Sequence, residues 1–409
     1  MSSENAKRVL IVDDSSTIRV LMRHILENEG YEVHELKSAH ELETTVETVK
    51  PSLVISDLMM PGRDGIAVCR ALRAMPEFAE LPIILASSKA FESDKKAAAQ
   101  AGANAYLVKP FTYASLVKAV GDALSTQLSV RIWGCRGSIA APEKALGKYG
   151  GNTSCIELVL PGNQHLIFDA GTGIRALGNA LVQESPLRAA VFLTHFHWDH
   201  IQGMPFFKPI YIPGNEFHLY GPAESNEALL DTIAGQIGGP FFPISPDAFR
   251  ASMRYNGVQE QELEALGIKI TTLYVMHPGT TLGYRVDING HSVVFAPDNE
   301  LMPEMVEPEL SGEAQRFADF AAGADLLIHD CQYSSLEYER YRGWGHSSAH
   351  SLGIVAAAAG VKSVLTFHHD PDHSDEDIDR IHLEFAATAE AMGANIQSEP
   401  AREGGTYSF

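Results

Sequence analysis

Between residues 193 and 200 the chain reads Leu-Thr-His-Phe-His-Trp-Asp-His, which brings His195, His197, Asp199 and His200 within six residues. Three imidazoles and a carboxylate this close together would be poorly solvated and mutually repulsive without a cation. Mixed nitrogen and oxygen donors suit a first-row divalent metal. Three such groups satisfy a single zinc ion, so four pointing in alternating directions suggest two metals sharing the segment. A second set of groups is purely acidic: Asp13, Asp14 and Asp57, with Lys109 further along. Three carboxylates brought together repel one another and demand a cation, and oxygen-only ligation suits Mg²⁺. A carboxylate beside Mg²⁺ and a lysine is well placed to attack a phosphoryl group, because both cations neutralise the incoming charge.

The elements that must carry these groups can be read from the apolar runs. Residues 8–12, 53–56, 82–86 and 105–108 are short and apolar, the fully buried kind expected of a parallel sheet. Helical patterns lie between them, at 16–28 and 65–74. Repeated βα units imply a doubly wound, five-stranded parallel sheet whose ligands sit at the carboxyl ends of the strands. Asp13 and Asp14 follow the first strand, Asp57 the third, Ser87 the fourth and Lys109 the fifth. No Gly-rich phosphate loop follows the first strand, which disfavours a nucleotide-binding domain. The polar, small stretch 122–129 (DALSTQLS) marks a boundary and precedes a new strand at 130–133. This divides the chain into a first domain at 1–124, a linker at 125–129 and a second domain at 130–409. Even if flexible throughout, the eight-residue boundary stretch 122–129 reaches only ~16 Å, so the two domains are expected to stay close.

In the second domain the run 189–193 feeds the histidine cluster. Further His and Asp residues stand alone near predicted strands: His277 before 282–288, Asp298 after 293–296 and His368 after 364–367. His346 lies in Gly-His-Ser-Ser-Ala, where Ser347 or Ser348 would cap a helix starting near Ala349. Residues 221–264 suggest two helical stretches around Gly238-Gly239-Pro240-Phe241-Phe242-Pro243, an aromatic wall or lid; Phe241, Phe242 and Phe249 could equally be core.

Composition narrows the function further. The chain has 409 residues, 45% hydrophobic and 20% charged, with a net charge of −21, which excludes wholesale disorder. No apolar run approaches the ~18 residues needed to span a bilayer, and the first apolar run is too short for a signal peptide. Four scattered cysteines without a CxxC pair fit reduced thiols in a cytoplasm. Residues 1–127 carry 14 basic and 17 acidic side chains, residues 128–409 carry 17 and 35, and 14 of the 17 histidines lie in the second part. Such an acidic domain repels a long nucleic acid. A small anionic substrate fits better, its charge met by metals and some of Arg136, Arg175, Arg285 and Arg342. Arg136, Asn152 and Tyr333 lie in segments that resemble site-lining loops.

The first domain resembles response-regulator receiver domains. Val-Asp-Asp at 12–14, SDLMMPGRDG at 56–65, Ala-Ser-Ser at 86–88 and VKPF at 108–111 match that family in order and spacing over about 120 residues. The resemblance implies that Asp57 accepts a phosphoryl group from a sensor histidine kinase and that Asp13 and Asp14 hold Mg²⁺. It further implies that Lys109 and Ser87 contact the phosphoryl group and that Tyr106 is the aromatic switch. A homodimer is common in that family.

The second domain resembles the metallo-β-lactamase fold, an αβ/βα sandwich, in its phosphodiesterase branch, which includes ribonuclease Z and phosphoribosyl cyclic phosphodiesterases. By that resemblance His195, His197 and His277 hold one metal, Asp199, His200 and His368 hold another, and Asp298 bridges them. Asp169, in Phe-Asp-Ala-Gly-Thr-Gly, buttresses the site, and His346 protonates the leaving group. His369 and His291 are the competing candidates for the last two histidine ligands, and His329 and Asp330 read as supporting groups. A histidine at 197 favours hydrolytic Zn²⁺ or Mn²⁺ over redox iron, which remains a third option, and a carboxylate at 298 suits two closely spaced cations. The chemistry expected is attack by a hydroxide shared between the metals on a small, cyclic nucleotide-like phosphodiester, regulated through Asp57. The alternatives are a hydrolase of a lactone, ester or thioester, and a non-catalytic di-iron sensor.

Overall fold

A computed structural model describes residues 7–408 except 80, 90, 125–127, 143–146, 161–163, 239–241 and 308. The chain forms two units, residues 1–128 with 160–164, and residues 129–159 with 165–409. Among the described residues no helix is long and apolar enough to cross a membrane.

The first unit is a five-stranded parallel sheet in the order Glu32–Leu36, Arg8–Val12, Leu53–Asp57, Ile83–Ser87, Ala105–Val108. Side chains alternate across a strand, so each apolar run serves both faces. Val9 and Ile11 pack with Met22, Leu26 and Leu116, whereas Leu10 and Val12 pack with Val46, Val68 and Leu72 on the other side. The strand at Glu32–Leu36 is the sheet edge; it is only half-buried, and its Glu35 pairs with Arg19 and Arg23. Its sequence, EVHEL, carries no apolar run, which is why only four strands stand out by hydrophobicity.

The second unit is a sandwich of two seven-stranded sheets. One runs Ser252–Val258, Glu216–Pro222, Arg188–Phe192, Gln164–Phe168, Cys155–Leu160, Ser129–Gly134, Thr406–Ser408. The other runs Glu262–Ala265, Ile268–Tyr274, Leu282–Ile288, His291–Ala296, Leu326–Asp330, Ser363–Phe367, Gln397–Pro400. Phe168, Phe192, Tyr284, Phe295 and Phe367 form one aromatic network, with ring centroids 5.0–5.7 Å apart. Helices Ile174–Leu181 and Asn226–Ile237 bury apolar stripes in one further core cluster, and Gly312–Phe320, Ala349–Ala359 and Asp375–Ala391 in another. All four cysteines are buried free thiols.

The segment 221–264 departs from the sequence expectation. Among its described residues it contains one helix of two turns or more, Asn226–Ile237, capped by Ser225 Oγ, which accepts from Ala228 N at 3.2 Å. The second stretch is the strand Ser252–Val258, paired parallel with Glu216–Pro222. Pro243 and Pro246 interrupt helical continuation, and Met253 and Tyr255 pack on the core at strand spacing. Phe242 lies edge-on to Phe206 at 5.5 Å and Phe249 to Tyr211 at 5.6 Å. Phe241, with Gly239 and Pro240, falls outside the described residues, as does most of the 125–129 linker.

One buried ion pair ties this unit to pH. His165 is fully buried, its Nδ1 2.7 Å from Glu157 Oε1 and its Nε2 3.2 Å from Glu184 Oε2. Burial opposes the charged ring, but the two glutamates outweigh it and raise the pKa to about 9. A raised pKa stabilises the fold fully below the unfolded value near 6.5, and that stability is lost as pH rises through about 9. The thermal midpoint of the protein should therefore fall between pH 7 and 9.5 by a component absent from His165→Gln. The contribution is bounded at about 3 kcal/mol. Identical pH slopes in both proteins would contradict this assignment.

Candidate metal centre

In the second unit the ends of several strands deliver histidines and aspartates to one place. The strand Arg188–Phe192 leads into the loop carrying His195 and His197, and the short helix Trp198–Ile201 carries Asp199 and His200. His277 precedes the strand Leu282–Ile288, Asp298 follows His291–Ala296, and His368 follows Ser363–Phe367. The ligand atoms of His195, His197, His277 and Asp298 lie within 4.8 Å of one another, as do those of Asp199, His200 and His368. The Asp298 carboxylate faces both groups. Its Oδ1 is 3.2 Å from Nε2 of both His200 and His368, and its Oδ2 is 3.5 Å from His277 Nε2 and 3.7 Å from His195 Nε2. Asp199 Oδ2 completes the second group, 3.1 Å from His200 and 3.2 Å from His368.

A second layer of hydrogen bonds fixes which nitrogen each ring turns inward. His200 Nδ1 donates to Asp169 Oδ2 at 2.7 Å, and His277 Nδ1 to the Gly345 carbonyl at 2.9 Å. His368 Nδ1 donates to Gln332 Oε1 at 3.1 Å, and the Gln332 amide is oriented by its own donation to Asp370. Thr194 Oγ1 donates to Asp169 and so accepts from His195 Nδ1 at 3.1 Å. The four Nε2 atoms are left facing the centre, and His197 adds Nδ1, 3.0 Å from His277 Nε2. Thr194, Gln332 and the Gly345 carbonyl were not singled out by the sequence, because a threonine, a glutamine and a main-chain oxygen carry no distinctive spacing. Glu300 was also missed. Buried beside Asp298–Asn299, it accepts from Gly343 N, Gly345 N and Tyr338 Oη at 2.7–2.9 Å and so shapes the loop leading to His346.

The centre is electrostatically incomplete without cations. Among the described residues His195 Nε2, His200 Nε2 and Asp298 Oδ1 are buried and have no hydrogen-bond partner, although ionisable neighbours lie within 3.1–3.7 Å. Such orphaned polar atoms are costly in an interior. Burial opposes ionisation of Asp199 and Asp298, but the surrounding imidazoles hold both well below the usual carboxylate range. Burial pushes His195 and His277 down, so both are neutral donors. The residues present therefore fit two divalent ions: Asp199, Asp298, His195 and His277 are already in the form a ligand needs, while Asp199, Asp298 and Asp169 outweigh burial and push His200 well up, a proton that a bound cation would replace.

Around this core the other candidates separate cleanly. His346 Nδ1 donates to Asp330 Oδ2 at 2.9 Å, and its ring stacks on His368 with centroids 4.8 Å apart. Burial lowers its pKa, but Asp330 and the nearby carboxylates outweigh that and raise it to about 9. Ser348 caps the following helix, Ala349–Ala359, so His346 is free of that task. His369 turns away and donates from Nε2 to the Ala401 carbonyl, and His291 sits 3.7 Å from Asp325. His329 lies behind the site, bonded to Asn299 and packed on Phe317. Arg136 does not serve as a substrate contact. It is fully buried and donates to the carbonyls of Gly150, Asp370 and His373. Arg285 is committed to Asp287 and two carbonyls, Arg342 to Glu304, and Asn152 to Glu403. The centre opens through a cavity of about 460 Å³ flanked by Trp198 and Trp344, both largely exposed.

The first unit builds its own site. Asp13, Asp14 and Asp57 come within ligand distance of one another at the carboxyl ends of adjacent strands. Lys109 Nζ donates to Asp13 Oδ2 at 2.6 Å and to Asp57 Oδ1 at 2.9 Å. Burial raises the Asp57 pKa despite the lysine. Ser87 Oγ is buried at the next strand end and accepts from Lys89 N, and Tyr106 Oη donates to the Lys89 carbonyl at 2.9 Å. Gly65 allows the close approach: a Cβ there would stand 2.6 Å from the Asp57 carbonyl oxygen.

A helix-flanked double sheet with a His/Asp centre at its strand ends defines a metallo-β-lactamase fold, and the aspartate–lysine site on a doubly wound sheet defines a receiver. Residues 164–369 match the β-lactamase superfamily domain and residues 9–121 the response regulator receiver domain. The chain belongs to the β-lactamase superfamily and carries a receiver domain fused to that fold, which implies divalent metal binding. The phosphate regulon transcriptional regulatory protein PhoB of Rhizobium meliloti (strain 1021) is 38% identical over 113 residues, covering 28% of this chain and 50% of PhoB. ResD of Bacillus subtilis (strain 168), a transcriptional regulatory protein, is 38% identical over 112 residues, 27% of this chain and 45% of its own. The chain thus spans about half the length of the curated relatives it matches. The metallo-β-lactamase fold protein YhfI from Bacillus subtilis superimposes with a TM-score of 0.52 at 20% identity, covering 70% of this chain and 100% of YhfI.

Two glycines give a test of the ligand geometry. A Cβ at Gly137 would lie 2.3 Å from His368 Nδ1, and one at Gly345 would lie 2.2 Å from His277 Nδ1. Gly137→Ala should displace His368 and lower bound metal by about one ion per chain. Gly345→Ala should act on the other group through His277, with added strain because Gly345 has φ +89°. Plasma mass spectrometry of the purified variants measures this, and wild-type metal content in both would refute the placement.

Proposed function

We propose that residues 130–409 are a dinuclear metallohydrolase cleaving a small, cyclic nucleotide-like phosphodiester, under control of a receiver at residues 1–124 phosphorylated on Asp57. The observation that carries this reading is the Asp298 carboxylate, one oxygen toward His200 and His368 and the other toward His195 and His277. Two divalent ions held there, Zn²⁺ or Mn²⁺ with iron as a third candidate, would supply an activated water and positive charge for the developing phosphorane.

The chain's own residues do the rest. His195, His197 and His277 form one ligand set, Asp199, His200 and His368 the other, and Asp298 is shared. Asp169 and Thr194 fix the tautomers of His200 and His195. Asp199 is additionally oriented by the Ser138 amide, which donates to it at 2.8 Å. His346, held through Nδ1 by Asp330, offers Nε2 as general acid to the departing alkoxide. Asp330 thereby plays the orienting part that a carboxylate plays for a histidine in acid–base dyads. The mouth between Trp198 and Trp344 suits a small ester.

In the receiver, Mg²⁺ held by Asp13 and Asp14 together with Lys109 would offset the charge gained when a histidine kinase phosphorylates Asp57. The modification adds about two negative charges beside Ser87 and Tyr106.

Leaving-group dependence tests the hydrolase. With a p-nitrophenyl ester, whose leaving group needs no proton, His346→Ala should change kcat less than about threefold. With an alkyl ester it should lose about 10²–10⁴-fold. Equal losses on both, or cleavage of lactones but no phosphodiester, would overturn the assignment. Beryllofluoride on Asp57 should change turnover severalfold in wild type but not in Asp57→Ala, and unchanged kinetics would discard the regulatory part.

A further inference from the structure

Once the metal ligands and His346 are set aside, the cavity of about 460 Å³ over the centre is lined by Ser138, Phe196, Trp198 and Trp344. Whatever a substrate presents outside its reacting ester therefore meets three aromatic side chains and one hydroxyl. Among the described residues no lysine or arginine lines this cavity, so a second phosphate or a carboxylate would find no partner there. The chain has three tryptophans, and two of them stand at this mouth, Trp198 78% exposed and Trp344 62% exposed. The third, Trp133, donates from Nε1 to Glu157 at 3.0 Å and packs on the core. Two exposed indoles at one cavity are a large apolar surface left to water, and such surfaces mark ligand sites. Both are fixed at the backbone. Trp198 opens the short helix Trp198–Ile201, between the ligands His197 and Asp199. Trp344 donates its main-chain N–H to the Tyr341 carbonyl at 3.0 Å and stands edge-on to the Tyr341 ring at 5.3 Å, and Tyr341 stacks on Tyr333 at 4.7 Å. Glu300 holds the amides of Gly343 and Gly345 on either side. Held this way, the indoles lose little freedom when a ligand ring settles on them.

We infer that Trp198 and Trp344 are specificity-determining residues for a diester whose non-reacting part carries a flat, uncharged ring and no second anionic group. A ring can stack on an indole that is still open to water. An alkyl chain gains chiefly by full enclosure, which a mouth this exposed does not give. Stacking is tolerant of ring identity, so the two indoles select for the presence of a ring and not for the pattern along its edge. The inference rests on the phosphodiesterase reading for the ester and narrows its substrate. Nucleoside-type or aryl diesters are accepted, whereas sugar and glycerol diesters without a ring, or diesters bearing a further phosphate, gain nothing from the cavity wall.

The test uses the full-length, metal-loaded protein and three diesters that share one kind of cyclic phosphate. Adenosine 2′,3′-cyclic phosphate carries the ring, glycerol 1,2-cyclic phosphate lacks it, and adenosine 2′,3′-cyclic phosphate 5′-phosphate adds a second anion. Cleavage is followed by phosphorus NMR, and any diester that stays intact is titrated by calorimetry. KM, or Kd for an intact diester, should be at least about fivefold lower for the first than for the second. For the third it should match the first within about twofold or be higher. Trp198→Ala combined with Trp344→Ala should bring the first two within about twofold of each other, and Trp198→Phe with Trp344→Phe should keep most of the difference. Both side chains are largely exposed, so their truncation does not endanger the fold, and bound metal in each variant checks that the centre is intact. No binding, a smaller ring effect in wild type, a ring effect that survives the double alanine variant, or a larger gain from the 5′-phosphate would overturn the inference. Ring-dependent binding with all three diesters intact would fault the hydrolytic reading and leave the role of the tryptophans standing. Cleavage without ring dependence would do the reverse.

Discussion

The second unit is organised around a carboxylate that has lost its water. Asp298 is 2% exposed, and four imidazoles surround it at 3.2–3.7 Å. Burying an ion this deeply is expensive unless charge is returned to it. His200 returns part of that charge, since Asp199, Asp298 and Asp169 outweigh its burial and push it well up, whereas His195 and His277 are held neutral by burial, each spending its other nitrogen on a fixed acceptor. The arrangement is therefore balanced by divalent cations, and folding and metal binding share one free energy.

The surrounding fold keeps that geometry rigid. Asp169, at φ 60°, and His368, at φ 59°, adopt left-handed backbone conformations without being glycine, each at a cost of about 1–3 kcal/mol. Both sit just past a strand end, Gln164–Phe168 and Ser363–Phe367, whose ladders over-determine the turn. Asp169 uses both oxygens, accepting from Thr194 N and Oγ1, Ser154 Oγ and His200 Nδ1. Gly137 and Gly345 leave room for the rings of His368 and His277. Strain at two turns and missing side chains at two glycines thus serve one purpose, holding donor atoms at fixed positions around a charge.

Much of this was legible from residue order. The His195–His200 cluster is dense enough to demand a cation, and the buried parallel strands of the first unit announce themselves as apolar runs. The fold class follows from both. The structure brings His277, Asp298 and His368 to that cluster from segments up to 173 positions away in the chain, which spacing alone does not establish. The edge strand Glu32–Leu36 and the strand Ser252–Val258 were hidden because half-buried strands alternate polar and apolar residues. Arg136 looked available for an anion and is instead consumed by three main-chain carbonyls. Sequence reports charge but not what has already claimed it.

The most direct measurement is anomalous diffraction from crystals of the wild-type protein, collected at the absorption edges of zinc, manganese and iron. The account predicts two peaks in the second unit, about 3.5–4 Å apart with Asp298 between them. A single peak, or ordered water alone among His195, His200, His277 and His368, would contradict it.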